Sequence, residues 1–230
     1  TITATEVKDS VTVNVRVSSE GNYDGYVTGT EKLTITKRPI EITGSGWTSS
    51  QPYTGKAYTK TDYEVEQADA ANTRGLVAGE TATVSYEITG TNVGPYTGTF
   101  GDDLEIKTAG GILGIGAKNV TDNYTVTKTP GTLTISKAEI NQYVTLNPRD
   151  VEEVYDGTAH EAGVATATDS NGNELKIEYS VDGTNWTTDP GTITATEVKD
   201  SVTVNVRVSS EGNYDGYVTG TEKLTITKRP

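Results

Sequence analysis

The chain has 230 residues, a net charge of −13, 33% hydrophobic residues and neither Cys nor Met. The acidity repels phosphate backbones and anionic membranes, and no Lys/Arg cluster reverses it locally, so nucleic acid is excluded as a partner. Without Cys there are no disulfides, no apolar run is long enough to span a bilayer, and the apolar supply, rich in its 13 Tyr, fits two modules of roughly 95 residues better than one deep core.

Residues 1–39 recur without a difference at 192–230, an offset of 191 residues. Solenoid units run about 20–50 residues, so this period means an array of whole domains. A weaker repeat lies inside it. Leu33-Thr34-Ile35-Thr36-Lys37 returns as Leu133-Thr134-Ile135-Ser136-Lys137 and as Leu224-Thr225-Ile226-Thr227-Lys228. An Asn-Tyr pair precedes each, at Asn22-Tyr23, Asn123-Tyr124 and Asn213-Tyr214, and a Tyr-x-Gly stands near each module start, at Tyr53-Thr54-Gly55 and Tyr155-Asp156-Gly157. Residues 1–37 are therefore read as the trailing part of a preceding second-type module, 38–137 as a first-type module and 138–230 as a second-type module. The chain starts inside a repeat and is read as a piece of a longer secreted protein.

In chain order, Val11, Val13, Val15 and Val17 give the first period-two strand. Its apolar face has no opposing sheet within residues 1–37, and open strand edges of this kind pair with other chains. The expectation is pairing with the 138–191 region of a neighbouring molecule, head to tail, with the potential to propagate into a fibre; the alternative is that residues 1–37 belong to a permuted domain with residues 40 onward. The join 35–42 carries no Gly/Ser tract, and neither does the join 135–140, which predicts limited bending and an elongated rod. Val65 to Ala71 is read as one helical turn. Val84, Tyr86 and Ile88 alternate with polar residues, as do Leu175, Ile177, Tyr179 and Val181, and again Val202, Val204, Val206 and Val208. Asn171-Gly172 and Asp182-Gly183 bracket the Leu175 strand with tight-turn chemistry. The predicted fold is all-β: tandem antiparallel β-sandwich modules of immunoglobulin-like type. The alternative is a β-grasp-like module, a sheet crossed by one helix.

Val154-Tyr155-Asp156-Gly157-Thr158, Gly75-Leu76-Val77-Ala78-Gly79-Glu80, Val120-Thr121-Asp122-Asn123-Tyr124 and the Leu-Thr-Ile-(Thr/Ser)-Lys endings resemble the MBG/YDG-type repeats of large bacterial surface proteins. The resemblance covers essentially the whole chain. It implies an extracellular, cell-surface, adhesin-like setting in a Gram-positive bacterium, and it brings no catalytic residues. The group's association with mucin-binding modules is what keeps the β-grasp alternative open.

Candidate chemistry is sparse. His160 is the only histidine, and it stands in a polar stretch after the Tyr155-Asp156-Gly157 turn, where a surface role is the ordinary one. With no Cys and no second His, zinc is not expected. Asp169-Ser170-Asn171-Gly172-Asn173-Glu174 alternates oxygen ligands as a calcium loop would, but it lacks an EF-hand's later Glu, and Asn-Gly already explains it as a turn. The glycine-rich stretch 110–116 lacks the Lys-Ser/Thr ending of a phosphate loop. Asp102-Asp103 and Glu152-Glu153 are read as solvated charge rather than as glycosidase acids. Asn205 and Lys176 fall on the polar register of their strands, so a Lys–Asn amide crosslink is not expected. Trp47 and Trp186 are the candidate glycan contacts, by stacking on sugar rings; the ordinary alternative makes Trp186 a cap on the core edge.

No cofactor and no enzymatic activity are expected. Two functions stand side by side: a structural stalk or spacer of a surface adhesin, and a weak binder of host glycans or surface proteins acting by avidity.

Overall fold

The protein is described here by a computed structural model covering residues 1–18, 21–22, 24–110, 116–209 and 212–230. The glycine-rich segment therefore lies largely outside the described residues, as does Tyr23. Two compact units result: one of Thr1–Thr48, Thr59–Thr89 and Tyr96–Leu133, the other of Ser49–Tyr58, Gly90–Pro95 and Thr134–Pro230.

Both units are all-β. Among the described residues the only helical elements are single 3-10 turns, such as Val198–Asp200. The helix that a β-grasp module needs is not among them, and 65–71 is not a helical turn: Val65 ends the strand Tyr63–Val65, and Gln67 forms a bridge with Leu76.

In the first unit the strand Arg38–Gly44 lies between Tyr124–Thr129 and Tyr63–Val65. Alternation places Ile40 and Ile42 inward, at 2% and 0% exposure. Opposite, Thr81–Thr83 pairs with Glu105–Lys107, and Ile106 projects from it. Ile40, Leu76, Ile106, Val120 and Tyr124 close the core between the two layers. Val84, Tyr86 and Ile88 are all buried, as their spacing predicted. The Tyr86 ring fills a space that glycine keeps open, since a Cβ on Gly44 would lie 2.3 Å from it. The Tyr86 hydroxyl donates to Ser45 O (2.8 Å) and accepts from Gly131 N (3.1 Å).

In the second unit a four-stranded sheet runs Val151–Val154, Tyr217–Thr227, Val202–Ser209, Ile177–Ser180. Val204, Val206 and Tyr179 face a second layer made of Val144–Asn147 with Thr166–Asp169 and of His160–Glu161 with Thr194–Ala195. Ala162, Ala165 and Ile193 complete that core. Each unit thus contains a β-sandwich whose core strands bury one face and leave the other wet. The Leu175–Val181 strand is shorter than its alternation implies. It ends at Ser180, whose Oγ is bonded to Asp182 Oδ1, and Val181 is left 51% exposed.

The sheets are mixed as well as antiparallel. Tyr124–Thr129 runs parallel to Arg38–Gly44, and Val151–Val154 runs parallel to Tyr217–Thr227. Two shorter parallel pairs join Ala138–Glu139 to Tyr214–Asp215 and Ile135–Ser136 to Gln51–Pro52. Period-two alternation assigns a strand's faces and is silent on its neighbour's direction, so these pairings could not be read from it.

Candidate functional site

The feature most open to a partner is the first hairpin, Val11–Ser18 with Tyr26–Leu33. Its eight strand pairs run from Val11↔Leu33 to Ser18↔Tyr26. It forms a two-stranded sheet of its own. Local chemistry holds it in place. Asp9 accepts the Glu6 N–H at 3.0 Å, closing a capped 3-10 turn over Val7–Asp9, and Ser10 Oγ accepts the Ile35 N–H at 2.8 Å. Val7 N–H donates to Asn123 Oδ1 at 2.9 Å. None of the hairpin's described residues is buried: Val15 is 38% and Val17 67% exposed.

The two tryptophans lie in different units, and each ring carries a cation. Lys60 Nζ sits 4.6 Å from the Trp47 ring centre and donates to Gly46 O. Arg207 stacks 3.9 Å from the Trp186 ring and 5.4 Å from that of Tyr217, while its Nε donates to Glu178 Oε2 at 2.7 Å. Both rings are half-buried. A depression of about 400 Å³ beside Trp186 is lined by Asn205, Thr219 and Thr221 as well. An aromatic face next to amide and hydroxyl groups is the chemistry of sugar contact, but one face of the indole is already engaged by the guanidinium.

Most of the other candidate groups are tied into turns. His160 Nε2 meets Asp156 Oδ1 at 3.0 Å, and the same oxygen accepts from Thr158 N and Oγ1. Those bonds, the Thr158 backbone first, pull the Asp156 carboxyl down to about 2. Asp103 accepts from Ser85 N and Oγ, which lowers its pKa. Asp102, Glu152 and Glu153 are exposed. In the calcium-like loop, Asp169 is buried and accepts from Asn171 N, Asn173 N, Asn173 Nδ2 and Tyr214 Oη. Burial pushes its carboxyl up, but these donors outweigh it and hold it below the usual range. A carboxylate with four protein donors has little capacity left for a cation. Asn205 Nδ2 donates to Ser180 O, and Lys176 is exposed.

Two groups escaped sequence reading. The first is the tyrosine of the Asn-Tyr pairs. Tyr124 donates to Glu80 and accepts from Val77 N–H, while Tyr214 donates to Asp169. Burial, then the carboxylate, pushes the Tyr124 hydroxyl up to about 12, and the same causes raise Tyr214. In two of the three pairs the asparagine accepts a backbone N–H from a distant stretch: Asn123 from Val7, Asn213 from Val93. The threefold recurrence of a polar pair beside a strand was the available signal. The second is Glu222, 1% exposed opposite Val204. Its Oε2 accepts Arg149 N–H, and its Oε1 has no partner among the described residues. Its parity with Leu224 and Ile226 marked the inward face.

No family model and no curated protein matches the chain. Three solved structures are distantly similar. One is the crystal structure of DIP-gamma IG1+IG2 (8% identity, 81% of this chain and 94% of that chain, TM-score 0.29). Another is protocadherin gamma B7 extracellular cadherin domains 1-4 (9% identity, 89% and 55%, TM-score 0.32). The third is a Ca2+-stabilized adhesin described as helping an Antarctic bacterium reach out and bind ice (13% identity, 97% and 58%, TM-score 0.23). The chain spans little more than half the length of the latter two.

Proposed function

We propose that the chain is a structural repeat of an extracellular, cell-surface adhesin-like protein of the MBG/YDG type, a stalk or spacer that holds a binding region away from the cell. One observation carries this reading: groups that would otherwise supply chemistry are engaged in holding turns and strands. Asp156 with His160 closes a single turn, while Asp103 with Ser85 and Asp169 with Tyr214 each fasten one segment of a sandwich to another. A spacer needs copies that fold alike, and the two identical segments adopt one register. No catalytic role is assigned to any residue. The test is an array series with one, two and four copies of the 191-residue unit. The expected outcome is a maximum dimension, from small-angle scattering, that grows in proportion to copy number. A dimension that levels off overturns the stalk.

The second reading, a weak host-glycan or host-protein binder acting by avidity, is favoured by the depression at Trp186 with its amide and hydroxyl lining. A glycan array probed with one repeat and with a tandem array separates the two. Glycan signal that rises steeply with repeat number and disappears in Trp186→Ala supports binding; no signal in either form supports the spacer.

A further inference from the structure

Residues 1–39 form an open face whose covering is visible elsewhere in the same chain. Their copy, 192–230, sits in a finished sandwich. Val204, Val206, Val208, Leu224 and Ile226 are each at most 1% exposed, and Ile193 is 8% exposed. Their counterparts Val13, Val15, Val17, Leu33, Ile35 and Ile2 are half-buried or exposed. A hollow of about 530 Å³ opens on the first hairpin, lined by Thr1, Ile2, Val13, Glu31, Lys32 and Leu33. In the copy Tyr179, Ala162 and Ala165 pack against Ile193, Val204 and Val206, and Leu146 packs against the same cluster. Two strands close the copy's edges: Ile177–Ser180 pairs with Val202–Ser209, and Val151–Val154 runs parallel to Leu224–Thr227. All of these covering residues lie within 138–191.

We infer that the face formed by residues 1–39 is a docking surface for a polypeptide segment of the 138–191 type that is not already paired with a 192–230 face of its own. Tyr179 and Ile177 of the incoming segment pair with Val15 and Val17, and its 151–154 strand lies parallel along 33–36. An intact second copy of this chain is not the occupant. Each chain holds one covering segment and two identical faces, so any exchange between copies leaves as many faces open as before. The covering segment is also joined directly to residue 192, and an intramolecular partner competes at an effective concentration on the order of millimolar. The full chain is therefore monomeric well below that concentration, and the open face accepts only a covering segment that has no face of its own.

The test adds a separately produced 138–191 polypeptide to the full chain. Native mass spectrometry is expected to show a 1:1 complex, and amide exchange of residues 11–17 to slow toward that of 202–208. Val15→Asp is expected to abolish both effects, because it alters the open face and leaves Val206 untouched. A complex that survives Val15→Asp overturns the inference, since the polypeptide then binds elsewhere. Should the free polypeptide associate with itself, a chain carrying an added copy of 138–191 before Thr1 decides: unchanged exchange of residues 11–17 in that chain overturns the inference. Dimerisation of the unmodified chain at micromolar concentration, lost in Val15→Asp, would show that an intact copy is the occupant.

Discussion

The hairpins Val11–Ser18/Tyr26–Leu33 and Val202–Ser209/Tyr217–Thr227 share their sequence and the same eight strand pairs, but only the second is covered. What they have in common is local. Asp9 and Asp200 close the same capped turn, and Ser10 and Ser201 accept the same backbone N–H, from Ile35 and Ile226. What differs comes from distant residues. The second strand ends at Leu33 in one hairpin and continues to Thr227 in the other, where Val151–Val154 pairs with the extra residues. Register and turns are thus properties of the 39 residues, whereas strand length, burial and the ionisation of buried groups belong to the covering segment.

The largest effect expected from this contrast is at the matched valines. Val206→Asp places a carboxylate at a site with 0% exposure and should destabilise the second unit by about 4 kcal/mol or more. Val15→Asp, the same change in the same sequence context, should stay within about 0.5 kcal/mol. Trp47 reports on the first unit and Trp186 on the second, so urea unfolding followed by fluorescence in Trp47→Phe and Trp186→Phe backgrounds separates the two. Similar losses at both positions would mean that the first face is already covered in solution.

Next come the paired tyrosines. Tyr214→Phe removes one of four donors to buried Asp169 and should cost the second unit about 1–3 kcal/mol. Tyr124→Phe should cost the first unit a similar amount, because the Glu80 carboxylate loses its donor and Val77 N–H its acceptor. The sign with pH is definite for Tyr124. Its folded pKa of about 12 lies above the ordinary 10.0, so its contribution is complete below pH 10 and is lost as the pH rises through 12. Between pH 10 and 12 the stability of the first unit should fall less steeply in Tyr124→Phe than in the parent protein, because the group that titrates there is gone.

These tyrosines show how far the sequence could be read. The valine runs were legible because alternation over eight residues admits one inward face, and Val204, Val206 and Val208 occupy it. Asn171-Gly172 and Asp182-Gly183 were legible because a positive φ suits glycine, and Gly172 and Gly183 adopt +82° and +75°. The tie from Tyr214 to Asp169 spans 45 residues, and no local pattern encodes it. For the same reason Trp186 was legible as an aromatic beside a turn, but its cover, Arg207, was not: the two meet only because the strand Ile177–Ser180, which Trp186 follows, pairs with the strand that carries Arg207.

Glu222 gives a smaller and purely electrostatic contrast. Burial raises its pKa against the opposing effect of the Arg149 N–H bond, and the nearby Asp150 adds to the rise. Tyr179, across the core, is raised by its own burial and in part by Glu222. A carboxyl whose folded pKa exceeds its unfolded value favours folding fully below the unfolded value of 4.5, and that contribution fades as the pH climbs through the folded value. Glu222→Gln keeps an acceptor for Arg149 and removes the buried charge, so it should stabilise the second unit at neutral pH by about 1 kcal/mol. The difference from the parent protein should vanish near pH 4. Glu31→Gln, at the exposed counterpart, should change neither quantity.

The smallest contrast bears most directly on function. Arg207 is wedged between Trp186 and Tyr217 and bonded to Glu178, whereas its copy Arg16 is exposed and lies 5.6 Å from exposed Tyr26. A guanidinium on an aromatic face is worth about 0.5–1 kcal/mol at an exposed site and more when it is desolvated. Arg207→Ala should therefore cost the second unit at least that much and shift Trp186 emission to the red, while Arg16→Ala costs less and leaves Trp186 emission unchanged. The same variant separates the two functional readings. If the indole is a sugar platform hindered by its own arginine, uncovering it should strengthen glycan binding even as stability falls. If Trp186 and Arg207 only brace the sheet edge, stability falls and no glycan signal appears. A gain in glycan binding together with a loss in stability would move the protein from spacer to binder.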